Sequence, residues 1–193
     1  MFSWVNFLSY ALVTAGTPGP NNIMSMSNAS RLGLRKSFPF NLGIWSGFSV
    51  VMVVCTFFCS TLSAVIPQIM TPMLMAGACY ILWLAWKTFT SSAVIEETSG
   101  QANFLSGLML QFVNAKIYIY GIVSMEAYIL PHFQGDWGAL LFFALLLAFI
   151  GFAFNMMWAL FGTAFRLLFS KYARITNTIM ALLLVYSAVS LFL

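Results

Sequence analysis

Six long apolar runs follow one another along this 193-residue chain. They extend over about residues 2–29, 40–66, 72–90, 104–130, 138–163 and 174–193. A helix of roughly 20 predominantly apolar residues crosses the hydrocarbon core of a bilayer, and each run is of about that length or longer. Only 6% of the residues are charged and 62% are hydrophobic, which no soluble domain of this size would show. The sequence therefore predicts an all-α integral membrane protein with six transmembrane helices.

The most polar stretch of the chain, residues 91–103, separates two halves at about 1–90 and 104–193. Each half holds three of the predicted spans, so the second half would enter the membrane from the opposite side. Each half also begins with a span that polar residues interrupt near its centre. Transporters built as inverted repeats place such interrupted helices face to face at the bilayer midplane. We therefore expect a single transmembrane transporter domain over residues 1–193, arranged as a 3+3 inverted repeat.

The first interruption lies inside the run 2–29 and reads Thr17-Pro18-Gly19-Pro20-Asn21-Asn22. Proline has no N–H, so the two prolines should leave the carbonyls of Thr14 and Gly16 without helical partners. Broken backbone at mid-membrane is tolerated only where protein buries it or where it lines a wet cavity. Two interpretations stay open. The segment is a proline kink satisfied by neighbouring helices, or it is a discontinuous helix that forms half of a solute site.

The second interruption lies in the fourth run and reads Gln111-Phe112-Val113-Asn114-Ala115-Lys116. A lysine at the centre of a span costs about 2.5–3.5 kcal/mol on insertion scales. Lys116 is about a dozen residues from either end of the run, too far to reach the interface. It either contacts a solute or is held by Asn114 and nearby carbonyls for packing. Asn155 in the fifth span is likewise a ligand or an interhelical bond, and Glu126 either reaches water or serves gating or proton movement.

Basic residues alternate between the predicted loops. The loops after spans one, three and five hold, in order, Arg31, Arg35 and Lys36; Lys87; and Arg166, Lys171 and Arg174. The other two loops hold none. Because cytoplasmic loops carry an excess of lysine and arginine, both termini are predicted to be periplasmic.

Other classes of function find little support in the residues. A membrane enzyme would need a nucleophile with a base or a metal cluster, but the single histidine, His132, lies in a predicted loop, and no HExxH or GxSxG motif occurs. Cys55 and Cys59 share a helix face without further metal ligands, and with Cys79 they are predicted to be small buried residues. The net charge of +4 is scattered over short loops. We expect no metal, no cofactor and no nucleic-acid partner.

Three segments resemble the signatures of the LysE/RhtB amino-acid exporter superfamily, and the similarity runs over essentially the whole chain. They are Thr17-Pro18-Gly19-Pro20, the third-span segment GACYILWLAWK at 77–87, and QFVNAK at 111–116. The resemblance implies a secondary transporter of the bacterial inner membrane. It would export small neutral amino acids or derivatives, such as cysteine or O-acetylserine, in exchange for protons. Exporters of homoserine and threonine or of lysine and arginine, and a non-transport helical membrane partner protein, stay open as alternatives.

Many members of that superfamily carry proline where this chain has Ala115. The fourth span is therefore expected either to bend at Gly121 or to remain continuous.

The expected partners are a small amino acid, protons and membrane lipid, with a homodimer as a further expectation.

The predicted substrate site joins both interruptions. Its residues are Thr17, Pro18, Gly19, Pro20, Asn21, Asn22, Gln111, Asn114, Lys116 and Asn155. Free N–H groups at the start of the second half-helix would attract the substrate carboxylate. The carbonyls of Thr14 and Gly16, with an amide from Asn114, would take the ammonium group. Lys116 would add a carboxylate contact or release its proton in one state of the cycle.

Overall fold

The computed structural model describes residues 2–62, 66–90, 103–165 and 171–189. All regular structure in these ranges is helical, which confirms the all-α prediction. Most of the predicted linker 91–103, including Glu96 and Glu97, lies outside the described residues, and so does Arg166.

The described residues form a series of helices. In chain order they are α1 (Trp4–Gly16), α2 (Pro20–Leu32), α3 (Leu34–Leu62), α4 (Ile66–Thr90), α5 (Phe104–Val113), α6 (Ala115–Val123), a π-helical turn (Ser124–Ile129), α7 (Leu130–Phe133), α8 (Trp137–Ala164) and α9 (Ala173–Val189).

Two helices in the described ranges, α3 and α8, are each long and apolar enough to cross a membrane. Helix α5 and the helical stretch Ala115–Phe133 make a third candidate if they are taken as one span, bent by 63° between them. These lengths and compositions fit a membrane protein. The six spans and the inverted repeat stay predictions.

Two predicted connections are in fact helical. Only Gly33 separates α2 from α3, and its φ of 82° lies in the left-handed region that favours glycine. Arg35 and Lys36 therefore form the first turn of α3 rather than a loop. Helix α4 begins at Ile66, so the predicted connection 67–72 belongs to its first two turns. Pro67 is accepted in the first turn, because the first N–H groups have no helical partner there, whereas Pro72 lies inside the helix.

Glycines allow α3 and α5 to cross closely. A Cβ at Gly43 would collide with the backbone carbonyl of Phe104, and one at Gly107 would collide with that of Phe40. A Cβ at Gly47 would lie 2.8 Å from the carbonyl oxygen of Leu108. The small-residue spacing on α3 thus lets the second half of the chain approach the first.

Helix α8 packs against α2 and α3, while α9 packs against α4.

The cysteine prediction holds for Cys55 and Cys59, which are buried, but it is wrong for Cys79. Gly77 and Ala78 occupy the buried face of α4, so the next residue lies on the outer face.

Candidate functional site

The first helix is broken where the prolines predicted it. Helix α1 ends at Gly16 and α2 begins at Pro20. Thr17 has φ −64° and ψ 149°, and Gly19 has φ −165° and ψ 174°. Each of these two residues precedes a proline, whose ring disfavours helical backbone in the residue before it. Because Thr17 and Gly19 each precede a proline, the chain is extended from Thr17 to Gly19.

The carbonyls freed by this break are taken by side chains, which corrects one prediction. The Thr14 carbonyl accepts the Thr17 hydroxyl at 2.8 Å, and the Gly16 carbonyl accepts the indole N–H of Trp158 at 3.3 Å. Both were predicted to face the substrate ammonium group. Asn22 Nδ2 donates to the carbonyls of Ala15 at 2.8 Å and Thr17 at 2.9 Å. The break is thus braced from within the protein.

The fourth span is also discontinuous, which corrects the expectation of a continuous helix or a bend at Gly121. Asn114, with φ −87° and ψ 91°, separates α5 from α6. Its side-chain Oδ1 accepts the backbone N–H of Lys116 at 3.2 Å and so begins the new helix as an N-cap. No proline is needed, because the asparagine side chain replaces the lost helical partner. Gly121 instead makes room for Met52 of α3.

The two breaks are bonded to each other. Asn21 Nδ2 donates to Gln111 Oε1 at 2.7 Å, and Gln111 Nε2 returns a bond to Asn21 Oδ1 at 3.2 Å. Asn114 Nδ2 donates to the same Asn21 oxygen at 2.9 Å. All three amides are buried. Residues some 90 positions apart in sequence therefore form one polar cluster that joins the breaks.

Lys116 reaches across to the first break. Its ammonium donates to the Thr17 carbonyl at 2.9 Å, to the Thr17 hydroxyl at 2.8 Å and, more weakly, to the Pro18 carbonyl at 3.5 Å. A Cβ on Gly19 would lie 2.9 Å from Lys116 Cδ, so glycine leaves space for the lysine stem. Within the described ranges, neither Glu126 nor Asp136 is bonded to this ammonium. Among the described residues, backbone and hydroxyl dipoles balance its positive charge.

A small cavity of about 30 Å³ lies beside this cluster. It is lined by Thr14, Ala15, Gly19, Pro20, Asn21, Asn22, Phe48, Asn114, Lys116, Ile117, Tyr120, Gly151 and Asn155. A volume of this size holds roughly two water molecules, and an amino acid needs more room.

The cavity wall favours an anionic group. The first turns of α2 and α6 both line it, and the N-terminus of a helix carries partial positive charge. The N–H groups of Asn21 and Asn22 lie in the first turn of α2, where a helix offers no internal acceptor, and no side chain caps them. Lys116 adds a full charge. Two helix N-termini and one lysine thus converge on the same space, which is the chemistry that binds a carboxylate.

Helix α8 adds an unpaired acceptor to the cavity. Asn155 lines it, is almost completely buried, and its Oδ1 has no hydrogen-bond partner among the described residues. A buried amide oxygen without a partner loses about 1–3 kcal/mol of solvation. Among the described residues this oxygen makes no interhelical bond.

The predicted site residues fall into two groups. Those that line the cavity are Gly19, Pro20, Asn21, Asn22, Asn114, Lys116 and Asn155. Thr17 and Pro18 hold Lys116, and Gln111 holds Asn21 without lining the cavity. Glu126 is exposed on the π-helical turn, away from the lining.

Sequence reasoning missed the apolar part of the wall, formed by Phe48, Ile117, Tyr120 and Gly151. Tyr120 lies one helical turn beyond Lys116, and this spacing could have indicated that Tyr120 belongs to the wall. Nothing in the sequence distinguishes Phe48 from the many other phenylalanines, or Gly151 from the other glycines.

Residues 12–193 match the family described as LysE type translocator. The chain belongs to this family. It is 43% identical to the cysteine/O-acetylserine efflux protein of Salmonella paratyphi A over 188 residues, which are 96% of this chain and 95% of the relative. It is 42% identical to the protein of the same name from Escherichia coli K12 over 190 residues, with the same shares covered. No solved structure matches the chain significantly. As a member of a translocator family, the protein is a transporter rather than an enzyme.

Proposed function

We propose that this LysE-type translocator exports small neutral amino acids or their derivatives, of the cysteine and O-acetylserine class, across the inner membrane of a bacterium. The relatives named as cysteine/O-acetylserine efflux proteins support the substrate class, because their similarity covers nearly the whole of both chains. The observation that carries the proposal is the convergence of two helix N-termini and Lys116 on one cavity.

The substrate carboxylate would bind the uncapped N–H groups of Asn21 and Asn22, and Lys116 would hold the proton that the substrate displaces. Charge-assisted hydrogen bonds of this kind are the strong ones in a site shielded from water. Asn155 Oδ1, which has no partner among the described residues, would accept a hydrogen bond from the substrate ammonium. The carbonyls of Thr14 and Gly16, which the sequence analysis assigned to the substrate ammonium, are not needed for this contact.

Export of lysine or arginine is the weaker alternative. None of the described residues that line the cavity is aspartate or glutamate. A cationic side chain would therefore enter a space that already holds one ammonium and two positive helix ends. Homoserine and threonine differ less from the proposed class and are tested in the same assay.

In the proposed mechanism the protein changes shape during transport, because this cavity is smaller than an amino acid. The proposed movement is a rocking of one half of the domain, about 1–90, against the other, about 104–193. This would open the site first to one side of the membrane and then to the other, as in inverted-repeat transporters. The amide cluster of Asn21, Gln111 and Asn114 spans the two halves and would rearrange in each cycle.

Lys116 provides a means of proton coupling. Two cations in one small cavity repel each other, so binding of the substrate ammonium favours a neutral lysine. Lys116 would carry a proton inward in the empty transporter and release it when a substrate binds. The result would be exchange of protons for the amino acid, which is the antiport that we propose.

We expect inside-out membrane vesicles from bacteria that express the protein to accumulate radiolabelled cysteine and O-acetylserine. Uptake into these vesicles corresponds to export, and an acidic lumen should accelerate it because protons then leave as substrate enters. The measurement is initial uptake with and without an imposed pH gradient, over a panel that includes threonine, homoserine, lysine and arginine. Uptake equal to that of vesicles without the protein for every substrate would refute the function. Uptake that ignores the pH gradient would refute only the coupling.

The loop charges predict the orientation that this direction of transport needs. A reporter fused after Leu193 should show periplasmic enzyme activity. The loops that hold the basic residues are predicted to be cytoplasmic, so the last span ends in the periplasm. The same reporter fused after Thr90, which follows Lys87, should show cytoplasmic fluorescence. A fluorescent fusion at Leu193 would contradict the predicted topology.

A further inference from the structure

The apolar wall of the cavity is built around one aromatic ring. Phe48 lies on α3, is almost completely buried and lines the cavity. Its ring meets that of Tyr120 edge to face, with centroids 5.8 Å apart and an interplanar angle of 62°. Tyr120 lies one turn after Lys116 on α6, so this aromatic pair is next to the charged end of the site.

Gly151 of α8 is what allows the ring to lie there. A Cβ at Gly151 would overlap Phe48 Cε1 and come within 2.9 Å of Cδ1. Since Gly151 and Asn155 are four residues apart on a helix, both face the cavity from the same side of α8. The ring is therefore confined by Gly151 and by Tyr120.

We propose that Phe48, seated on Gly151, sets the upper size limit of the amino-acid side chain that the transporter accepts. This inference rests on the proposed function. With the carboxylate at the N-terminus of α2 and the ammonium at Asn155, the side chain of a bound amino acid has to point toward the remaining, apolar part of the wall. That part consists of Phe48, Tyr120 and Ile117, with Gly151 behind the ring.

The physical basis is the density of the packing. Side chains in a protein interior leave few voids larger than a water molecule, so a larger substrate needs a wall that can yield. The phenylalanine ring cannot move toward α8, because it already occupies the space that a methyl group on Gly151 would fill. In apolar pockets one methylene distinguishes substrates by roughly 10- to 200-fold. The much larger phenylalanine ring can therefore exclude large substrate side chains.

The test compares uptake of alanine, serine, cysteine, methionine, leucine and phenylalanine in the vesicle assay. Phe48→Ala should raise the ratio of leucine to cysteine uptake at least tenfold, and Phe48→Leu should shift it in the same direction with less disturbance to folding. Gly151→Ala should lower uptake of the largest accepted substrate first, because its methyl group pushes the ring into the cavity. The double variant Phe48→Ala/Gly151→Ala should recover uptake, since the clash is removed with the ring.

Phe58→Ala is the matched control, because Phe58 lies on the same helix but is exposed at the outer surface. It should leave the ratio unchanged. Folded yield of each variant is read by gel filtration in detergent. A folded Phe48→Ala or Phe48→Leu protein with the wild-type ratio would overturn the size limit. If wild-type vesicles take up nothing from the panel, the proposed function itself fails, and the two failures are thus distinguishable.

Discussion

Lys116→Gln is expected to lower export by about 10- to 150-fold while the protein still inserts and folds. A charge-assisted bond in a shielded site is worth about 1.5–3 kcal/mol, which corresponds to that range. Glutamine keeps a donor for the Thr17 carbonyl but loses the charge and the exchangeable proton. Removal of a charge from mid-membrane also relieves an insertion cost of about 2.5–3.5 kcal/mol. The measurement is initial uptake in vesicles at several imposed pH gradients, with folded yield taken on the same preparation.

The structural alternative for Lys116 makes a different prediction. If the lysine only braces the break at Thr17, its loss should lower the melting temperature in detergent but leave uptake and its pH dependence near the wild type. Lys36→Gln is the control, because Lys36 is exposed in the first turn of α3. Wild-type uptake with an unchanged pH profile in Lys116→Gln would remove this residue from the proposed site.

Replacing Pro18 and Pro20 together with alanine is expected to lower export at least tenfold, with normal insertion. Each proline opposes a straight helix by roughly 3 kcal/mol, so the double change removes about 6 kcal/mol of that opposition. The neutral side-chain bonds that brace the break, two from Asn22 and one from Trp158, are worth roughly 0.5–1.5 kcal/mol each, and the charge-assisted bond from Lys116 is worth about 1.5–3 kcal/mol. The two sums are similar, so a large share of the molecules should straighten and lose the α2 N-terminus from the cavity.

Vesicle uptake measures this loss, and thermal unfolding in detergent shows whether the variant is folded. Pro131→Ala is the control, since Pro131 lies in the first turn of the short α7 and outside the cavity. Export at the wild-type rate by the double alanine variant would show that the side-chain bonds alone maintain the break. The prolines would then be dispensable, and the role of the α2 N-terminus would need another test.

The class of the protein and the position of the first break follow from the order of its residues. Charges are costly in a bilayer core, so long apolar runs with few charges predict membrane helices. Proline constrains its own backbone and that of the residue before it, and this effect is local. For that reason Thr17 and Gly19 have the extended geometry that the order of residues predicts. The unusual placement of Lys116 was also visible without any structure.

Tertiary structure alone decided what those features contact. The second break has no proline, and it follows from an asparagine cap together with a packing partner on α2, which no local pattern encodes. The carbonyls of Thr14 and Gly16 were predicted to be free, but Thr17 and the distant Trp158 satisfy them. Phe48 and Gly151 became part of the site only because α3 and α8 pack side by side. Local backbone chemistry acts over a few residues, whereas the walls of a cavity are set by helices that meet from distant parts of the chain.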